Sequence, residues 1–280
     1  VTSRAALRAA FDDLLDTRGA PLVIAHRGTS LGSAPDNTVH AAIGAVRSGA
    51  DVVELDVLAS ADGVPYLFHH GYEAKHFGRE LDLRSMPAAE IDELRFLWQG
   101  GVTRSGPDRL ADLLEALPDV WLNIDRSWGL WPGLLDVLAP HADRVLLKSP
   151  PLVEPLAALA DHPVPFLYFP IVRTPEQLAE VEAIDGLHLI GAELLAAEPT
   201  DPFADPARVA EVAARHPLVL LNALNLENGA RLHLEHSDDV SLREGGDAGW
   251  GHLVDVGATA IQTDWPHLLR GYLADRGLRG

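Results

Sequence analysis

There is no cysteine in the 280 residues, so disulfides, thiolate nucleophiles and cysteine-based zinc sites are all excluded. Lysine is nearly missing too, with Lys75 and Lys148 the only two. No apolar run reaches the roughly 18 residues of a membrane span, so no stable membrane insertion is expected. No secretory leader is visible, but the chain starts at Val1 rather than Met, which leaves cytoplasmic and secreted settings both open. Positive charge is scarce overall. A formal net charge of −19 argues against a nucleic-acid partner or an anionic membrane surface. Any anionic substrate would need a pocket made locally positive by a metal ion or by a few placed cations.

An apolar content of 47% is that of a chain able to bury a full core. No repeat, low-complexity tract or linker divides it, and residues 1–280 are read as a single barrel domain. Short β-rich runs recur at Pro21–His26, Asp51–Val57, Val120–Asp125, Arg144–Lys148, Val164–Phe169, Gly186–Ile190, Leu218–Asn222 and Thr259–Thr263. Most are continuously apolar, as expected of parallel strands buried on both faces. Helical patterns alternate with them. Thr38 is placed to cap a helix through Ser48, Thr174-Pro175-Glu176-Gln177 reads as a capping box, and Asp205-Pro206 is a similar start.

Eight such units predict an α/β fold of the (β/α)8 TIM-barrel type. An open doubly wound sheet would want a Gly-rich phosphate loop after the first strand, and none is present. Two stretches interrupt the alternation: a segment inserted after strand two, from about Ala59 to Pro118, and a long loop before strand eight, Leu224–Gly257. Insertions at the C-terminal rim of a barrel shape pockets or lids.

Chemistry-bearing residues gather at the expected rim. Strand one ends in His26-Arg27-Gly28, where an imidazole and a guanidinium adjoin a glycine that allows a close turn beneath a ligand; alone, the triplet also suits a surface turn. On strand two, Glu54 and Asp56 lie two residues apart and so face the same side. Two carboxylates about 5–6 Å apart repel by roughly 3 kcal/mol at an effective dielectric near 20. A hard divalent cation, Mg²⁺ or Ca²⁺, is the simplest offset, and the flanking Val52, Val53 and Val57 argue against a solvated edge. A hairpin-like run from Ala61 then delivers His69 and His70.

This ordered set resembles the glycerophosphodiester phosphodiesterase family. The resemblance rests on Ile24-Ala25-His26-Arg27-Gly28, Ala34-Pro35-Asp36-Asn37-Thr38, the run Gly49–Val57 with Glu54 and Asp56, Asp62-Gly63, and His69. It continues through Leu122-Asn123-Ile124-Asp125 and closes with Ile261-Gln262-Thr263-Asp264-Trp265-Pro266. The resemblance implies one divalent cation, held by Glu54, Asp56 and Asp125. It also implies His26 and His69 as an acid/base pair, Arg27 on a phosphate oxygen, and a small-molecule phosphodiester as substrate. An internal hydroxyl attack through a cyclic phosphate is implied for the family. A lyase that stops at the cyclic phosphate, and an inactive barrel that binds a phosphorylated ligand, are the alternatives.

Several positions depart from the family pattern. Asp36 and Asp125 stand where Glu is commoner. Ser127 occupies the place of a phosphate-binding lysine, and Lys148 at the end of strand four is the expected substitute. His69-His70 replaces His-Asp, removing an acid that would orient His69. Leu221-Asn222-Ala223 and Asn225 replace a Trp-Thr-Asn-like strand. Trp121, Trp128, Trp131, Trp265 and Tyr168 are expected near the mouth, with Trp128 and Trp265 the candidates for an apolar substrate wall. His233, His236 and His252 are expected to be polar loop residues.

Overall fold

The computed structural model describes residues 3–29, 32 and 34–279. Eight parallel strands close into a barrel with helices around it, the predicted (β/α)8 architecture. They are β1 (Leu22–Ala25), β2 (Val52–Ala59), β3 (Trp121–Asp125), β4 (Val145–Ser149), β5 (Leu167–Val172), β6 (Gly191–Leu194), β7 (Leu218–Asn222) and β8 (Ala260–Thr263). Each pairs with the next in sequence. Closure is made by β1, which pairs Leu22 with Ala260 of β8 and Ile24 with Val52 of β2.

Local chemistry accounts for the helix starts. Thr38 Oγ1 accepts from Ala41 N at 3.1 Å and opens the helix Val39–Arg47. Thr174 caps Pro175–Glu182 by accepting from Gln177 N at 3.3 Å. Its box is shifted by one residue, because the Gln177 side chain accepts from Arg173 N at 2.7 Å rather than from the cap itself. Asp205 caps Pro206–Ala213 in the same manner.

The sixth strand departs from expectation. His188–Leu189, inside the expected Gly186–Ile190, only flanks β5, and the barrel strand begins at Gly191. A Cβ at Gly191 would lie 1.8 Å from the Leu218 carbonyl oxygen, so glycine lets the two strands approach. What reads in the sequence as a break is the strand's first residue. The shift brings Glu193 to the barrel interior.

Trp121 lies at the start of β3, the end opposite the mouth, where its ring meets Phe11 of the helix Arg4–Arg18 at 5.9 Å. Tyr168 and Trp131 are buried in the main core and pack edge-on at 6.4 Å. Only Trp128 and Trp265 of the five aromatics line clefts at the rim.

The insertion after β2 contains the short antiparallel strand Pro65–Leu67, the helices Glu73–Phe77 and Ala88–Ile91, and a small hairpin. It has its own apolar centre in Leu58, Tyr66, Phe68, Ile91 and Phe96. The loop before β8 folds into the helix Asp238–Glu244, a wide turn over Asp247–Gly251, and the helix His252–Asp255. It is stitched to the end of β6 by Ala196 N donating to Leu232 O at 2.9 Å and by Leu234 N donating to Ala196 O at 2.6 Å. No helix among the described residues is long and apolar enough to cross a membrane.

Contrary to expectation, His233 of this loop is buried, 2% exposed, and neither ring nitrogen has a partner among the described residues. His236 and His252 stack beside it, ring centroids 3.5 Å apart. Burial, reinforced by the two neighbouring imidazoles, pushes the His233 pKa down to about 4. The unfolded chain therefore binds the extra proton first. The part of the stability that depends on a neutral His233 is complete above about pH 6.5 and is lost as pH falls from there toward 4, by at most roughly 3 kcal/mol. In urea titrations, lowering the pH from 7.5 to 5.0 should reduce the stability of the wild type relative to that of His233→Leu by about 2 kcal/mol; an equal change in both proteins would contradict it.

Candidate active site

The residue pairing of adjacent strands fixes the centre of the site. Parallel register sets Glu54 level with Asn123 and Asp56 level with Asp125. Carboxylate oxygens of Glu54, Asp56 and Asp125 lie within 4.8 Å of one another. Further round the same interior layer come Lys148, Glu193, Asn222 and Gln262, all buried.

Several of these charges have a specific counterpart. The Lys148 Nζ meets Asp125 Oδ2 at 2.9 Å and Glu193 Oε2 at 3.1 Å, with Gln262 Oε1 at 3.5 Å. Glu193 Oε1 accepts from Asn222 Nδ2 at 2.8 Å. Arg27 Nε lies 3.1 Å from Asp56 Oδ2, Arg27 Nη1 lies 3.3 Å from Asp36 Oδ2, and the guanidinium sits 4.6 Å over the Tyr72 ring. Asn37 clamps Asp56 twice, donating from Nδ2 to Oδ2 at 3.0 Å and accepting from the Asp56 backbone N at 2.9 Å. Asp36, the shortened acid of the motif, also binds His76 Nε2 at 3.1 Å.

Glu54 is the outlier. Its Oε2 accepts from Arg27 N at 2.9 Å, but its buried Oε1 has no partner among the described residues. Burial and the neighbouring Asp56 charge push its pKa well above the usual carboxylate range. A buried anion with a free oxygen, facing two other carboxylates, is costly unless a cation joins them. Three hard oxygen donors at this spacing fit Mg²⁺ or Ca²⁺.

Two imidazoles flank this centre in different electrostatic settings. His26 Nδ1 lies 2.8 Å from Asp264 Oδ1, leaving Nε2 as its other nitrogen. Burial acts to lower its pKa, but the Asp264 hydrogen bond and charge, with Glu54 behind them, outweigh it and raise it. His69 lies edge-on to Tyr72 at 4.4 Å, its buried Nδ1 unpartnered among the described residues. Burial, aided by the Arg27 and Arg126 charges, outweighs the pull of Asp56 and holds its pKa well below the ordinary value. The acid absent after His69 is thus replaced by an aromatic contact. His70 instead turns to Glu73, 3.0 Å from its Nδ1.

Two adjoining clefts open here, sharing His26, Arg27 and Leu226. One, about 290 Å³, reaches the interior layer past Asp56, Asp125, Arg126, Trp128 and Lys148. The other, about 250 Å³, runs between Tyr72, Lys75, Asp264 and Trp265. The long loop contributes Leu224 and Leu226 to the first, so it forms part of the wall.

All the sequence-predicted site residues lie around this rim, although His69, edge-on to Tyr72, and the fully buried Glu54 line neither cleft. Two expectations change. Lys148 ends β4 as expected, but its ammonium is already held by two carboxylates. Gly28 approaches a helix, not a ligand: a Cβ there would lie 2.7 Å from Ala42 N, and its φ is +70°. The sequence reading missed Glu193, Arg126 and Asp264 as site residues, together with Asp238. Asp238 accepts from Thr263 Oγ1 at 2.7 Å and from Asp264 N at 2.8 Å, which sets the acid that holds His26. The acid in the apolar run Gly191-Ala192-Glu193-Leu194 was the signal for Glu193.

A closed barrel with carboxylates, imidazoles and arginines at the C-terminal ends of its strands has the form of an enzyme active site. Residues 26–152 match the model of the glycerophosphoryl diester phosphodiesterase family. Residues 168–273 match a second family, described only as a domain of unknown function. A probable glycerophosphodiester phosphodiesterase 2 of Mycobacterium tuberculosis is 34% identical over 112 residues, 38% of this chain. The match spans 39% of that relative's own length. A glycerophosphoryl diester phosphodiesterase from Parabacteroides distasonis superposes over 95% of this chain and 92% of its own, with a TM-score of 0.74 at 16% identity. An Oleispira antarctica phosphodiesterase, solved with the product sn-glycerol-3-phosphate, covers 95% of this chain and 99% of its own, with a TM-score of 0.67 at 21% identity. At such identities the superpositions establish the fold.

Two outcomes are expected of this geometry. In thermal melts, Mg²⁺ or Ca²⁺ at about a hundred times its dissociation constant should stabilise the wild type by about 2.7 kcal/mol, and Glu54→Gln should show little of this shift. Equal metal-induced shifts in both proteins would dismiss the carboxylate triad as the binding site. Gly28→Ala should cost at least about 1–3 kcal/mol, because the left-handed backbone and the helix contact both resist a Cβ. An unchanged melting temperature would contradict that.

Proposed function

We propose that the chain is a metal-dependent phosphodiesterase acting on a glycerophosphodiester or a related phosphodiester, a phosphoric diester hydrolase built as one barrel domain over residues 1–280. The observation that carries the reading is the meeting of Glu54, Asp56 and Asp125 oxygens within 4.8 Å, between two histidines of opposed protonation tendency. The family match over residues 26–152 supports the same chemistry.

Glu54, Asp56 and Asp125 would hold one Mg²⁺ or Ca²⁺. Bound there, the ion would supply positive charge against the phosphoryl oxygens. Arg27, fixed by Asp36, Asp56 and Tyr72, would neutralise another phosphoryl oxygen. His69, held neutral at pH 7, takes the proton of the attacking hydroxyl. His26, whose hold on a proton Asp264 strengthens, gives one to the departing alkoxide. Two like groups with pKa values pushed apart are what an acid and a base at one site require. The attacking hydroxyl is the neighbouring one on the substrate alcohol, giving a cyclic phosphate that water opens. Trp128 and Trp265 would flank the alcohol groups.

The test is turnover of glycerophosphodiesters with Mg²⁺, Ca²⁺ or EDTA, followed by ³¹P NMR. Wild type should yield the phosphomonoester, EDTA should abolish turnover, and His26→Ala or His69→Ala should each lower kcat by about 10²–10⁴. A cyclic phosphate that persists would replace hydrolysis with the lyase reading. No cleavage across a broad panel of diesters, with no metal bound, would remove both.

A further inference from the structure

We infer that Arg126, and not Lys148, is the cation that receives the phosphoryl group in place of the missing lysine, while Lys148 serves as an internal counter-charge. The inference rests on the phosphodiester reading above and adds to it a phosphate-binding residue.

The three protons of a lysine ammonium define how many partners it can serve. Lys148 meets Asp125 at 2.9 Å and Glu193 at 3.1 Å, with Gln262 at a longer 3.5 Å, and its side chain is 2% exposed. Drawing it toward a phosphate would strip a buried pair, leaving Glu193 and Asp125 uncompensated. Arg27, already placed on one phosphoryl oxygen, is paired with Asp36 and Asp56 and 11% exposed. Arg126 differs from both. Its side chain is 54% exposed, and its nearest acid, Asp56 Oδ1, is 3.6 Å from Nε, too far for a good hydrogen bond. Among the described residues, none accepts a hydrogen bond from its guanidinium.

The backbone aims it. Arg126 has φ of +50°, a left-handed conformation that non-glycine residues seldom adopt. Its backbone N donates to Asp125 Oδ1 at 2.7 Å, so the turn that orients the third carboxylate also sets Arg126. The result is a guanidinium lining the catalytic cleft with Asp56, Asp125 and Trp128. It also lines an adjoining cleft of about 450 Å³ with Phe68, His70 and Leu130. One residue earlier than Ser127, the left-handed turn delivers the charge that Ser127 lacks. A planar guanidinium with free N–H groups is suited to two phosphoryl oxygens at once.

The test measures binding of inorganic phosphate to the Mg²⁺-loaded protein by ³¹P NMR titration, alongside KM and kcat for a diester that the wild type cleaves. Arg126→Ala should weaken phosphate binding by roughly ten- to hundredfold and raise KM, with Mg²⁺ affinity within about twofold of wild type. Arg126→Lys should recover part of the loss. Lys148→Met should change Mg²⁺ affinity or stability more than it changes phosphate binding at saturating Mg²⁺. Phosphate binding within about twofold of wild type in a folded Arg126→Ala protein would overturn the inference, whatever Lys148→Met does. Because this readout needs no turnover, Arg126-dependent phosphate binding without diester cleavage would uphold the inference and reject the proposed activity.

Discussion

The constraint on which the rest of the structure depends is the crowding of negative charge at the mouth of the barrel. Glu54, Asp56 and Asp125 bring their oxygens within 4.8 Å, and the buried Glu193 adds a fourth acid nearby. At such distances carboxylates repel by several kcal/mol unless cations intervene. The chain, with two lysines and a charge of −19, meets this with few cations, each placed with care. Lys148 joins Asp125 to Glu193, Arg27 joins Asp56 to Asp36, and one Glu54 oxygen is left unpartnered among the described residues. That oxygen marks where the protein's own charges stop and where an added cation fits.

Around this centre, each functional group is held by something one layer out. Asn37 clamps Asp56, Asp264 holds His26, and Asp238 holds the backbone and hydroxyl that position Asp264. Asp238 belongs to the long loop before β8, and that loop also supplies Leu224 and Leu226 to the cleft wall. An excursion that looks peripheral in the chain is therefore part of what orients His26, the acid of the proposed reaction. Its folding around His233, whose ring nitrogens have no partner among the described residues, links that support to pH.

Much of this was legible in the sequence. The barrel followed from eight apolar runs alternating with capped helices, and β7 was placed to the residue. Glu54 and Asp56 were legible because strand periodicity puts both on one face. Asp125 was found by resemblance, and register explains why it lands beside Asp56. Three kinds of information were hidden. Strand boundaries at glycines were one: Gly191 reads as a break yet starts β6, so Glu193 was overlooked. Side-chain competition was another, since barrel counting placed Lys148 at the rim but could not reveal that two buried carboxylates hold it. Backbone handedness was the third. Nothing in Asp125-Arg126-Ser127 announces a left-handed turn, and without that turn Arg126 looks like an ordinary surface residue.

The account centres on one ion held by three carboxylates, with arginines turned toward it. The most direct measurement is a crystal structure grown with Mn²⁺ and inorganic phosphate, read by anomalous scattering. The account predicts one strong peak within about 2.0–2.6 Å of Glu54, Asp56 and Asp125, with a phosphate between that ion and Arg27. An ion held elsewhere, or a phosphate on the barrel with no ion at these carboxylates, would contradict it.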